Sequence, residues 1–123
     1  MLGSLRRSRV LVVAMTAAAV AALAIPAFAA ADWGAIAVSS RTGKVGVAYD
    51  YPTVGRAKQR AIHECHQLGC RAAVWVFDGY AALVLKRSGV FVAGVGKTRN
   101  LAFAKARERA HEEARRIAWV YSG

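Results

Sequence analysis

GAIAVSSRTGKVGVAYDYPTVGRAKQRA, residues 34–61, runs parallel to YAALVLKRSGVFVAGVGKTRNLAFAKARERA, residues 80–110, when the chain is laid over itself at an offset of 44 to 46 residues. Self-similarity at such a period marks a repeated structural unit. Gly43 meets Gly89, Val47 meets Val92, Thr53 meets Thr98, and Ala57 and Ala61 meet Ala102 and Ala106. Further on, AVWV at 73–76 meets IAWV at 117–120, which pairs Trp75 with Trp119.

Each copy reads strand, turn, strand, helix, strand. In the first, Ala35 to Ser39 is apolar and runs into the polar, glycine-ended SSRTG of a hairpin loop. Val45, Val47 and Tyr49 alternate with Lys44, Gly46 and Ala48, the period of a sheet with one buried face. Thr53 suits a helix N-cap. Val54, Ala57, Ala61, Cys65 and Leu68 then recur at spacings of three and four, one apolar helical stripe, with Gly69 as a left-handed C-cap and Arg71 to Phe77 as the closing strand. In the second copy Ala81 to Leu85, the turn KRSG and Val90 to Ala93 lead to a cap at Thr98. The stripe there is Phe103, Ala106, Ala110, Ala114 and Ile117, Glu112 and Arg116 form an i,i+4 pair, and Arg116 to Tyr121 is the last strand. These elements predict a single α+β domain made of two β-β-α-β repeats, at 33–77 and 79–121, related by a pseudo-twofold axis. About six short strands in an antiparallel or mixed sheet would pack with two helices, because neither copy can seal a core alone.

AGVGKT, residues 93–98, resembles the tail of a phosphate-binding loop, G-x-x-x-x-G-K-[ST]. The first glycine of that pattern falls at Phe91, whose side chain stands where the loop needs close backbone approach. YDYPT holds the same place in the first copy without any phosphate-loop residue. No nucleotide is expected. The glycines are expected in a tight strand-to-helix turn, with Thr98 capping the helix.

The N-terminus carries Arg6, Arg7 and Arg9, an almost wholly apolar run over residues 10–25, and Ala27-Phe28-Ala29. That is the pattern of a signal peptide cleaved after Ala29, leaving a domain of residues 30–123 with no transmembrane span; a retained anchor is the rival reading. Export to the cell envelope or the extracellular space is therefore expected, and it disfavours ATP chemistry. Cleavage lowers the formal charge from +11 to +8.

HECHQLGC, residues 63–70, holds the two cysteines and two of the three histidines. A metal site would recruit Cys65, Cys70, His63 and His66. The spacing disfavours it, since His63 lies about 200° around the helix from Cys65. A Cys65–Cys70 disulfide in an oxidising compartment is the expectation, and no metal or other cofactor is expected. No hydrolytic constellation stands out among the seven acidic residues.

The basic excess is the functional lead. Arg41 and Lys44 flank one hairpin turn, Lys86 and Arg87 the other, and Lys97 and Arg99 stand at the second helix N-terminus; these six are the candidate anion-binding residues. A field of this sign attracts an anionic envelope component or an acidic protein. No run of exposed aromatics is expected to interleave with the arginines, so specific nucleic-acid binding is not expected.

WGAIAVS at 33–39, the Y-x-Y-P of residues 49–52, HQLGC at 66–70 and AVWV at 73–76 together resemble the small exported bacterial domain of unknown function family 4189. The resemblance spans about residues 33–121. It implies export and a two-half domain and supplies no reaction and no catalytic residue. Family members often carry further cysteines in the second half, where this chain reads DGYAAL and HEEARRIAWVYS. The expected function is a secreted, non-enzymatic binding module; an enzyme or enzyme inhibitor with a loop-built site, and metal binding at the His/Cys cluster, are the alternatives.

Overall fold

The computed structural model describes residues 31–123, so the signal-peptide reading of residues 1–29 lies outside the described residues. The elements run β1 (Trp33–Ser39), β2 (Val45–Tyr51), α1 (Val54–Cys65), β3 (Cys70–Phe77), β4 (Gly79–Lys86), β5 (Phe91–Gly96), α2 (Arg99–Ala110) and β6 (Ala114–Ser122). The fold is α+β. Its strands form two three-stranded sheets, β2-β1-β3 and β5-β4-β6, and every pairing is antiparallel.

Three apolar clusters show how these elements stack. Ile36 and Val38 of β1, Ala81 and Leu83 of β4, Val76 and Val120 form one cluster, so the sheets lie face to face. The alternate residues Ala35 and Ala37 meet Ala57 and Ala61 of α1. On the other side Ala82 and Val84 meet Ala102, Phe103 and Ala106 of α2. The layers are therefore helix, sheet, sheet, helix. The expected single sheet with one wet face is corrected: the central strands β1 and β4 are buried on both faces, one by a helix and one by the other sheet. Strand alternation sorts side chains by size, with mostly alanine toward the helices and Ile36, Val38 and Leu83 between the sheets.

Small helix-facing residues let the helices come close. A Cβ at Gly46 would stand 2.1 Å from the Ala61 carbonyl oxygen, and one at Gly94 2.5 Å from the Ala102 carbonyl oxygen. This revises the reading of AGVGKT. Gly94 and Gly96 lie within β5 rather than in a tight turn, and they make room for the α2 backbone.

Both helices start and stop alike. The Thr53 hydroxyl accepts from the Arg56 N–H and the Thr98 hydroxyl from the Leu101 N–H, at 3.2 and 3.1 Å. His66 and His111 end them in the left-handed region, at φ 54° and 57°. The expected Gly69 cap is thus three residues late, and Leu68, placed on the helical stripe by its spacing, lies beyond the helix and is 82% exposed. In the second half Ala114 and Ile117 belong to β6, so Glu112 and Arg116 share no helix.

Cys65 and Cys70 stand at disulfide distance, tying the end of α1 to the first residue of β3. Of the two buried hydroxyls among the described residues, Ser39 donates to the Leu68 carbonyl at 3.0 Å, and Ser122 accepts from the Asp50 N–H at 2.9 Å. The second bond joins the end of β2 to the end of β6.

Gly94→Ala should force α2 away from β5 and lower the unfolding free energy by about 1–3 kcal/mol. Urea denaturation followed by circular dichroism checks this; a loss below about 0.5 kcal/mol would contradict the close approach.

Candidate functional site

The six residues singled out from the sequence fall in two places. Arg41 and Lys44 lie at the β1–β2 turn, and Lys86 and Arg87 at the β4–β5 turn. A cleft of about 400 Å³, lined by Val38, Ser40, Arg71, Gly89, Val90 and Phe91, lies between these hairpins and places both turns at one end of the molecule. Lys97 and Arg99 stand at the opposite end of β4, about 25 Å away by the length of the strand. No single patch contains all six.

Their electrostatic state also differs. Lys86 Nζ lies 3.8 Å from Glu112 Oε2, and Arg87 pairs with Glu113. The Ser88 N–H donates to Glu112 Oε1 at 3.0 Å. That bond, with the charges of Lys86 and Arg87, holds the Glu112 carboxyl below its ordinary value. Glu112 therefore stays ionised, and the second hairpin is largely self-neutralised. Arg41, Lys44, Lys97 and Arg99 have no carboxylate partner among the described residues.

A second feature was not visible in the linear sequence. α1 lies mainly over β1 and β2, and α2 over β4 and β5, which leaves the outer faces of the edge strands β3 and β6 only partly covered. Aromatic side chains occupy that space. Tyr80 of β4 lies beside Trp119 and Tyr121 of β6, with ring centroids 6.0 and 4.7 Å apart. On the other sheet Trp33 of β1 lies 5.2 Å from Phe77 of β3, and Trp75 shares β3 with Phe77. Trp75 and Trp119 are 45% and 44% exposed, and each has a cation from its own helix over the ring, Lys58 at 3.6 Å and Arg99 at 5.1 Å.

The surface of Tyr80, Trp119 and Tyr121 adjoins a depression. Tyr80, Thr98, Arg99, Asn100 and Trp119 line a hollow of about 320 Å³. A neighbouring hollow of about 240 Å³ adds Phe103 and Arg116, whose guanidinium lies 4.4 Å from the Phe103 ring centroid. Two arginines without carboxylate partners thus flank one aromatic floor. Of the six candidate anion-binding residues, only Arg99 lines these hollows.

At the other end Cys65 and Cys70 of the His/Cys cluster stand at disulfide distance, and the rings of His63 and His66 lie 5.1 Å apart. No group of three His, Cys, Asp or Glu able to hold a metal occurs among the described residues.

Residues 33–120, which hold all of this architecture but the end of β6, match the domain of unknown function family DUF4189. The chain belongs to that family. It is also similar in structure to Rv1813c from Mycobacterium tuberculosis, solved by NMR, with 30% identity, 80% of each chain covered and a TM-score of 0.58. No curated protein matches it. Membership of DUF4189 agrees with the resemblance carried by WGAIAVS and HQLGC, and it brings no reaction with it.

In this DUF4189 chain Glu112 and Glu113 pair with Lys86 and Arg87 of the second hairpin. The double variant Glu112→Gln/Glu113→Gln should be held more strongly on a sulfonate resin than Asp32→Asn/Glu108→Gln, which changes the net charge equally at carboxylates outside the ion pairs. Equal elution salt for the two variants would show that Lys86 and Arg87 are not masked.

Proposed function

We propose that the chain is a secreted, non-enzymatic module that binds an anionic partner, either a polyanion of the cell envelope or an acidic protein, through its exposed basic side chains. The observation that carries this reading is the imbalance of charge pairing. Of the fifteen lysines and arginines among the described residues, only Arg60, Lys86 and Arg87 sit in ion pairs. The other twelve stand without a carboxylate partner there, and such a surface recruits counter-charge from outside the molecule.

The working form in this reading is residues 30–123, released by cleavage after Ala29. Its halves are two copies of one β-β-α-β unit about a pseudo-twofold axis. Several likenesses support that duplication. The sheet orders β2-β1-β3 and β5-β4-β6 correspond, and both helices carry a threonine N-cap and a histidine C-cap. Ala73 and Ile117 are the extra residues where the pairing of β3 and β6 with the central strands shifts. One pairing drawn from the sequence is replaced. Val47 joins the inter-sheet cluster whereas Val92 faces α2, so they are not equivalent.

Retention on heparin-type resin and on phosphatidylglycerol vesicles should be clear at low salt and fade as the Debye length shrinks from about 30 Å at 0.01 M to about 8 Å at 0.15 M. Zwitterionic vesicles should not retain the protein. Absence of retention on every anionic surface at low salt would sink the proposal.

A further inference from the structure

We infer that the hollow between Tyr80 and Trp119 is a subsite for an acidic sugar residue of a polysaccharide, and that Trp33, Trp75 and Phe77 form a weaker copy on the opposite outer face. This inference rests on the anion-binding reading and names the chemistry of one partner.

Three requirements of such a ligand are met together. A pyranose ring has an apolar C–H face, which stacks on the electron-rich face of an aromatic side chain. Trp119 is 44% exposed and Tyr121 45%, on the part of sheet β5-β4-β6 that α2 leaves open. A sugar also carries many hydroxyls. The hollow is lined by Tyr80, Thr98, Arg99, Asn100 and Trp119, so every lining side chain bears a hydrogen-bonding group. An acidic sugar, finally, bears its charge on the stacking ring itself. Arg99 stands over the Trp119 ring, 5.1 Å from its centroid and farther off than Lys58 is from Trp75, and Arg116 stands over the adjacent Phe103, so the positive groups lie at the platform itself rather than along a separate backbone track.

The same geometry disfavours a single-stranded nucleic acid. Such a chain needs successive platforms along one continuous groove. Here the two aromatic surfaces lie outside different sheets, separated by the whole inter-sheet layer. Each accepts a ring or two and then ends, an arrangement that suits separate residues of a repeating polymer and allows one molecule to bridge two chains.

The two subsites are unequal. Lys58 Nζ lies 3.6 Å from the Trp75 ring centroid and must swing aside before a ring can stack there. Trp33 and Phe77 also offer no counterpart to the hydroxyls of Tyr80 and Tyr121. The Trp119 side is the stronger one.

Affinity electrophoresis through gels containing polygalacturonate, dextran or poly(dT), with phosphatidylglycerol vesicle flotation alongside, tests the assignment. The unmodified protein should be retarded by polygalacturonate and not by dextran. Trp119→Ala should weaken that binding roughly tenfold, the scale of a hot-spot truncation, and Trp75→Ala by less than about threefold. Trp119→Tyr should retain most of the affinity, and Arg99→Gln, which keeps the platform, should lose it together with its salt dependence. Circular dichroism establishes that each variant is folded, and Arg99→Gln carries the test should Trp119→Ala not fold. Salt-sensitive binding to polygalacturonate that Trp119→Ala and Arg99→Gln leave unchanged would overturn the subsite while sparing the anion-binding reading. Retention by no polyanion and no vesicle would overturn both. Tighter binding to poly(dT) with the same Trp119 dependence would replace the sugar by a stacked base.

Discussion

The aliphatic layer between the two sheets is the constraint from which the rest of the structure follows. Ile36, Val38, Leu83, Val76 and Val120 are buried there, and no helix touches that layer first. Each fully buried aliphatic side chain contributes about 1.5–3 kcal/mol relative to exposure. A half of this chain on its own, three strands and one helix, would leave its share of that layer in water. The sheets must therefore meet, and once they do, the remaining face of each central strand has to accept a helix. Alanine on that face brings the helix close, and the close helix in turn excludes any side chain at Gly46 and Gly94.

A helix of twelve residues laid this tightly over two strands covers the third only in part. The outer faces of β3 and β6 are the part of the molecule that the packing leaves unfinished, and aromatic rings rather than polar side chains stand on them. A cation over each exposed tryptophan covers it only in part. That combination of ring and charge distinguishes the outer surfaces from the hairpin end, where Glu112 and Glu113 already answer Lys86 and Arg87. The basic excess of the sequence is thus distributed unevenly in function. Charges at the second hairpin are paired internally, and those near Trp119 have no carboxylate partner among the described residues.

Much of the fold was legible in the sequence for local reasons. The order of the elements followed from the alternation of two against the spacing of three and four, and Thr53 and Thr98 marked helix starts because their hydroxyls can accept from free N–H groups. Helix ends were harder. His66 and His111 occupy the left-handed region that glycine usually takes, so the spacing carried Leu68 and Ala114 into helices that had already stopped. The pairing of Val47 with Val92 failed because the hairpins differ in length. Ser39 N–H closes on Lys44 and Lys86 N–H on Val90, a difference of one residue, and a slip of one turns a side chain to the other face. The aromatic surface stayed hidden because strand pairing, not sequence proximity, brings Tyr80 against Trp119 and Tyr121.

Native-state hydrogen exchange on Leu83→Ala tests the shared layer most directly. Leu83 is fully buried between the sheets, and its truncation should cost about 2–5 kcal/mol. The slowest amides of β1 and β4 should lose protection together and by the same amount, since neither sheet persists without the other. Protection lost in β4 while β1 keeps its full value would show that the halves stand independently, and the account built on their common interior would be wrong.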